Sequence, residues 1–151
     1  MMAHHTIDLG KRKELLLKQA CFAQFKPDEI DVLASLLIEK HFSPEEVIVN
    51  EGDPVDSVYL IVKGTTDVRH IKIEDSETVT ESVATLKAGD AIGLNETGFY
   101  SLSGIRTATV VAASDVIALQ LSVAQFHGFS LAYSHVSEVM REQARNFLNP
   151  K

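Results

Sequence analysis

The feature that most constrains this chain is a double change of hydrophobic period. Up to about residue 40 the apolar residues recur at helical spacing, from Val47 they fall into short β-branched runs, and the helical period returns with Val136, Val139, Met140, Gln143 and Phe147. The first helix is predicted over Lys11 to Cys21, where Leu15, Leu16 and Leu17 are flanked by lysines. Pro27 suits the first position of a second helix, with Asp28 and Glu29 at its positive dipole end. Along it Ile30, Leu33, Ala34, Leu37 and Ile38 share one face, so the helical region is expected to run to residue 40. The strand-like runs are VIV (47–49), VYLIV (58–62), Val68 with Ile71 and Ile73, TVTESVATL (78–86), TATVVAA (107–113) and VIALQL (116–121). Turn residues separate them, among them Glu51-Gly52-Asp53-Pro54, Lys63-Gly64 and Ser114-Asp115. Helices bracketing many short strands imply an α+β, mainly β domain whose strands form a sandwich or barrel, and exclude a parallel α/β fold.

The remaining bulk properties narrow the class. The chain has 151 residues, the size of one domain, and 45% hydrophobic against 23% charged residues marks a globular chain rather than a disordered one. A flexible N-terminus over 1–10 followed by a single domain over 11–148 is the expected organisation. A net charge of -7 has the wrong sign for holding nucleic-acid phosphates by the surface as a whole, so no direct nucleic-acid contact is expected. The single cysteine, Cys21, allows no internal disulfide. The opening residues lack the ordered zones of a secretion signal, and no run of about 20 apolar residues appears; a cytoplasmic protein without membrane insertion is expected.

Glycine and arginine are placed unevenly. Six of the eight glycines lie between residues 52 and 104, and Gly93, Gly98 and Gly104 punctuate GLNETGFYSLSG. Between residues 88 and 140 the one lysine or arginine is Arg106, directly after this Gly-rich segment and directly before an apolar strand. A guanidinium buried against strands needs an anion, which it meets with two parallel charge-assisted hydrogen bonds. Two anions fit. One is an internal carboxylate, Glu96 or Asp90; the other is a ligand phosphate, cradled by backbone N–H groups that the glycines let approach. Spacing by itself leaves both open.

The segments EGDPVDSVYLIVKGTTDV (51–68), LKAGDAIGLNE (86–96) and GIRTATVVAASDVIALQLSVAQF (104–126) resemble the cyclic nucleotide-binding domain of catabolite activator protein, cyclic-nucleotide-dependent kinases and cyclic-nucleotide-gated channels. The resemblance implies a double-stranded β-helix (jelly-roll) barrel flanked by N-terminal and C-terminal helices, with 122–148 as the helices that respond to ligand. It matches Gly52 and Gly64 to the family's turn glycines, Gly93 to the glycine opening the phosphate-binding cassette, Arg106 to the arginine gripping the cyclic phosphate, and Ala108 to the small residue two positions on. Thr107 stands where members preferring cGMP place a hydroxyl. One landmark departs. The family has Glu after the cassette glycine, accepting from the ribose 2′-OH, whereas this chain has Leu94, followed by Asn95 and Glu96, in a segment about three residues longer. Glu96 supplies the missing carboxylate if Leu94 and Asn95 are read as an insertion. Gly93, Leu94, Asn95, Glu96, Arg106, Thr107 and Ala108 are therefore the expected ligand-binding residues.

The expected function is a non-enzymatic regulatory sensor for a cyclic nucleotide (cAMP or cGMP) or another phosphate-bearing ligand, which is a regulatory ligand rather than a cofactor. The alternative is a degenerate fold with no nucleotide pocket, acting as an interaction or dimerisation module. A homodimer through Val136, Val139, Met140 and Phe147 of the last helix is the expected self-association. The six histidines form no metal-ligand spacing, which disfavours a cupin-like enzyme, and neither a nucleophile elbow nor a Cys/His pairing appears. The histidines are expected to be solvated or capping, and Phe22, Phe25, Phe42, Phe126 and Phe129 to be packing residues. Arg141 and Arg145, beside Glu138 and Glu142, are expected on a solvent face. Only four residues follow Phe147, so no DNA-reading head is expected in this chain.

Overall fold

The computed structural model describes residues 7–95, 98–99 and 104–148. Helix α1 (Leu9–Leu17) starts at Asp8, whose side chain accepts from the Lys11 amide at 2.8 Å, and a single 3-10 turn (Ala20–Phe22) follows it. Helix α2 (Pro27–Leu36) begins with proline at its first position, as predicted, but ends four residues earlier than the periodicity implied. The Arg12 guanidinium donates to the carbonyls of Ala34 (3.0 Å) and Leu37 (2.7 Å), which satisfies terminal acceptors and lets the chain turn into strand β1 (Ile38–Phe42). That strand was missed because most of it is exposed, so it lacks an apolar alternation. An antiparallel ladder with Val116–Gln120 defines it instead.

The other strands follow the sequence runs closely: β2 (Val47–Val49), β3 (Ser57–Lys63), β4 (Thr65–Glu74), β5 (Glu77–Lys87), β9 (Thr109–Ala112) and β10 (Val116–Ser122). The Gly-rich segment adds three two-residue strands, β6 (Ala91–Ile92), β7 (Leu94–Asn95) and β8 (Gly98–Phe99). They pair antiparallel in two four-stranded sheets, β1-β10-β3-β6 and β2-β9-β4-β5, beside the small β7-β8 ribbon. These are the two facing sheets of a jelly roll. Among the described residues no ladder joins them into the closed barrel that was expected.

Period-2 alternation lets one sheet serve two layers. On β3 and β10, Val58, Leu60, Leu119 and Leu121 face the helices, whereas Tyr59, Ile61, Val116 and Ala118 face the second sheet. This is why β3 reads as an unbroken apolar run. The second sheet is wet on its outer side, so β4 and β5 are largely exposed along their length. At the β3–β4 turn, Gly64 has φ +96°, and a Cβ there would lie 2.2 Å from the Asp115 carbonyl oxygen, so no larger residue fits.

Helix α3 (Val123–Ala132), capped by Ser122, and helix α4 (Ser134–Leu148) close the helical layer. Phe22, Phe25, Phe126 and Phe129 form one cluster with ring centroids 5.5 to 6.3 Å apart, as expected of packing residues, and Phe42 packs edge-on against Tyr59. The proposed dimer face is corrected here. Val136 and Val139 are buried in the chain's own core and Met140 packs against it, so that stripe is already covered; the side chain of Phe147 lies outside the described residues. Glu138, Arg141, Glu142 and Arg145 lie exposed, as expected. His135 also departs from a purely solvated role. Its Nδ1 lies 2.9 Å from the buried Glu29 carboxylate, which accepts from the Lys26 amide at 2.7 Å as well, so one acid ties the start of α2 to the start of α4.

Candidate ligand-binding site

The site grows out of the segment on either side of the Gly-rich insertion. Gly93 interrupts the extended chain between β6 and β7 with φ +92°; a Cβ there would lie 3.0 Å from Val58 Cγ1 and 3.2 Å from Arg106 Nη1. The missing side chain is what lets the guanidinium approach the backbone. From the other direction Arg106 is clamped by its own main chain: its amide donates to the Asp53 carbonyl (2.7 Å), its carbonyl accepts from Gly52 (2.9 Å), and Val55 donates to Gly104 (2.7 Å). The β2–β3 turn thus fixes the arginine from behind.

The Arg106 side chain is buried, at 7% exposure for the residue. Its Nη2 donates to the Ser57 carbonyl at 2.6 Å and lies 3.7 Å from Asp56 Oδ1, a carboxylate that is itself 85% exposed. A 3.7 Å contact with a solvated acid is a weak neutraliser. Burial pushes the guanidinium pKa down, opposed by Tyr59, Asp56 and Asp53, so the cation is held at some cost. Asp90, one of the two acids expected opposite it, instead accepts from the Lys87 amide at 2.9 Å and closes the β5–β6 turn. Glu96, the other, lies outside the described residues.

A cavity of about 370 Å³ opens between the sheets against this arginine. It brings together Gly93, Leu94, Arg106, Thr107 and Ala108 of the expected set; Asn95 belongs to β7, with its side chain outside the described residues. The amides of Thr107 and Ala108 have no acceptor among the described residues. The wall opposite is apolar, with Val68 from β4, Val83, Ala84 and Leu86 from β5, and Val49 and Val110 behind. Sequence reasoning did not name these wall residues, although their alternation along β4 and β5 was visible. His70 is exposed, as expected, and stands at the rim of the cavity with its Nδ1 3.6 Å from the Glu51 carboxylate. Arg106 is shared with a second recess of about 230 Å³, lined by Asn50, Asp53, Asp56 and Tyr59. The guanidinium is therefore a partition between an apolar chamber and an acidic one. Among the described residues no group of three His, Cys, Asp or Glu is placed to hold a metal ion.

The family model for the cyclic nucleotide-binding domain matches residues 39–133, from β1 to the end of α3. The chain belongs to the cyclic nucleotide-binding domain family. No curated protein matches it. Among solved structures it is similar to the N-terminal domain of a transcriptional regulator from Streptomyces coelicolor A3(2), with TM-score 0.73 and 19% identity over 89% of this chain and 90% of that one. It is also similar to the regulatory domain of Toxoplasma gondii PKA crystallised with cAMP, with TM-score 0.68 and 20% identity over 83% of this chain. The match spans 47% of the Toxoplasma chain. A cyclic nucleotide-binding-like protein from Brucella abortus gives TM-score 0.63 and 21% identity over 78% of this chain and 96% of that one. At these identities the likeness is one of fold. No described helix is long and apolar enough to cross a membrane.

Proposed function

We propose that this domain is a non-enzymatic sensor that binds a cyclic nucleotide, or a phosphate monoanion of that kind, in the inter-sheet cavity and signals occupancy through α3 and α4. The observation that carries the reading is the buried Arg106 in the wall of a 370 Å³ cavity, its nearest acid a solvated carboxylate 3.7 Å away. Among the described residues its Nε and Nη1 have no acceptor, so they and the amides of Thr107 and Ala108 offer a phosphate convergent donors. The phosphate supplies the charge that Asp56 supplies weakly, and the flat base lies against the valines of β4 and β5.

Transmission follows from position. Leu94, beside Gly93, lines the cavity and packs against the helical-layer core that contains Phe126, Phe129 and Val136. A ligand that draws this segment toward its phosphate shifts an apolar contact of the helices, and the equilibrium moves by the difference in affinity for the two arrangements. A second copy of the chain would have to meet α4 on a face other than the Val136–Val139 stripe.

Titration calorimetry of the parent protein and Arg106→Ala with cAMP and cGMP tests the reading. The substitution is expected to weaken binding by about 10- to 100-fold, the loss of one charge-assisted pair. Equal affinity in the two proteins overturns it.

A further inference from the structure

His70 reaches the cavity from β4. The ladder between β4 and β9 ends at the pair Arg69–Thr109, and His70 is the next residue, so it stands level with Ala108 at the rim of the same chamber. Glu51 is stitched into the gap beyond the ladder: its amide donates to Thr109 Oγ1 at 2.9 Å and its carboxylate accepts from the Ile71 amide at 3.2 Å. That fixed carboxylate lies 3.6 Å from His70 Nδ1, and Glu81 of β5 is the cross-strand partner of His70. The imidazole thus has an acid toward β9 and another toward β5. Two cations oppose them. Lys72, the next residue on that face of β4, is already bound to Glu74 at 3.0 Å and to Glu81 at 2.8 Å. Arg106 is buried in the cavity wall, and its nearest acid is the solvated Asp56 carboxylate 3.7 Å away. Across a chamber poor in water such a weakly neutralised cation repels a second positive charge. A phosphate monoanion on Arg106 removes that repulsion and leaves Glu51 and Glu81 to favour the imidazolium.

Resting on the proposed function, we infer that His70 is a proton-binding residue of the ligand site: the cyclic nucleotide is taken up together with a proton on this imidazole, so that the domain reads ligand and acidity jointly. Histidine is the side chain whose charge ordinarily changes between about pH 5 and pH 8. The occupied site favours the charged ring more than the empty one does, so affinity rises as pH falls through that range. By linkage, occupancy strengthens proton binding at His70 by the same factor.

Titration calorimetry of the unaltered protein with cAMP and cGMP at about pH 8 and about pH 6, in buffers of different ionisation enthalpy, reads both the affinity and the protons taken up. Binding is expected to tighten by about three- to tenfold at the lower pH, the scale of one partly screened charge pair across the cavity, with net proton uptake. His70→Gln keeps a polar side chain without the charge, and a side chain that is 48% exposed can be replaced without unfolding the sheet. This variant is expected to bind with an affinity independent of pH and to take up no proton. Equal affinity of the unaltered protein at the two pH values, or a pH dependence that His70→Gln retains, overturns the inference and leaves the cyclic-nucleotide reading standing. Binding of neither nucleotide at either pH overturns that reading, and the inference with it.

Discussion

The two apolar layers that share β3 and β10 are built differently. On the helical side Phe22, Phe25, Phe126 and Phe129 interlock with leucines that are almost fully buried. Between the sheets the corresponding side chains are mostly valine, isoleucine and alanine, and next to them lies a chamber of about 370 Å³. Alternate residues of a single strand thus fill the helical layer on one side and, on the other, join the inter-sheet cluster beside which the chamber opens. The difference separates stability from recognition: the filled layer holds the fold, and the layer with room leaves space for the proposed ligand without needing to be unpacked.

The largest expected effect breaks the filled layer. Phe22→Ala is expected to lower unfolding stability by about 3–5 kcal/mol in urea titrations, because its neighbours cannot collapse onto the gap. Gly93→Ala comes next, since it forces a Cβ at φ +92° against Val58 and Arg106, and about 1–3 kcal/mol of strain should appear together with loss of ligand binding. Glu29→Gln is expected to cost about 1–2 kcal/mol near neutral pH. Burial raises the Glu29 pKa, but the Lys26 amide and His135 outweigh it and hold the carboxyl below its ordinary range. A lowered folded-state value means its contribution is full above the ordinary carboxylate range and is lost as pH falls through the folded-state value. Melting temperature against pH should therefore show an acid limb that Glu29→Gln flattens. The smallest effect belongs to the layer with room: Val83→Ala, at a half-exposed position on the cavity wall, is expected to change stability by less than about 0.5 kcal/mol while still altering ligand affinity. If Val83→Ala proves as costly as Phe22→Ala, the contrast between the layers fails.

Much of the β body was legible because burial enforces its pattern. VIV at 47–49 and VIALQL at 116–121 are strands almost to the residue, since one-residue slips would turn apolar side chains to water. The helix α2 to β1 boundary was not legible, because Ile38 continues the helical period and the guanidinium that donates to the terminal carbonyls comes from Arg12, far off in sequence. At the site, Arg106 stood out by its isolation among the basic residues, and Gly93 by its place in the Gly-rich run. Asp56 and Ser57 did not, since their role depends on the β2–β3 turn folding behind the arginine.

Cys21 offers a use for the helical layer that needs no ligand chemistry. Its thiol is fully covered, burial pushes its pKa up to about 12, and its carbonyl accepts from Gln143 of α4 at 3.1 Å. A group so buried and protonated is inert to alkylating reagents while the helical layer stays closed. The lone sulfur is thereby a native clock: the speed at which a maleimide consumes it counts how often the helical layer opens, and any effector that loosens or pins that layer should change the count.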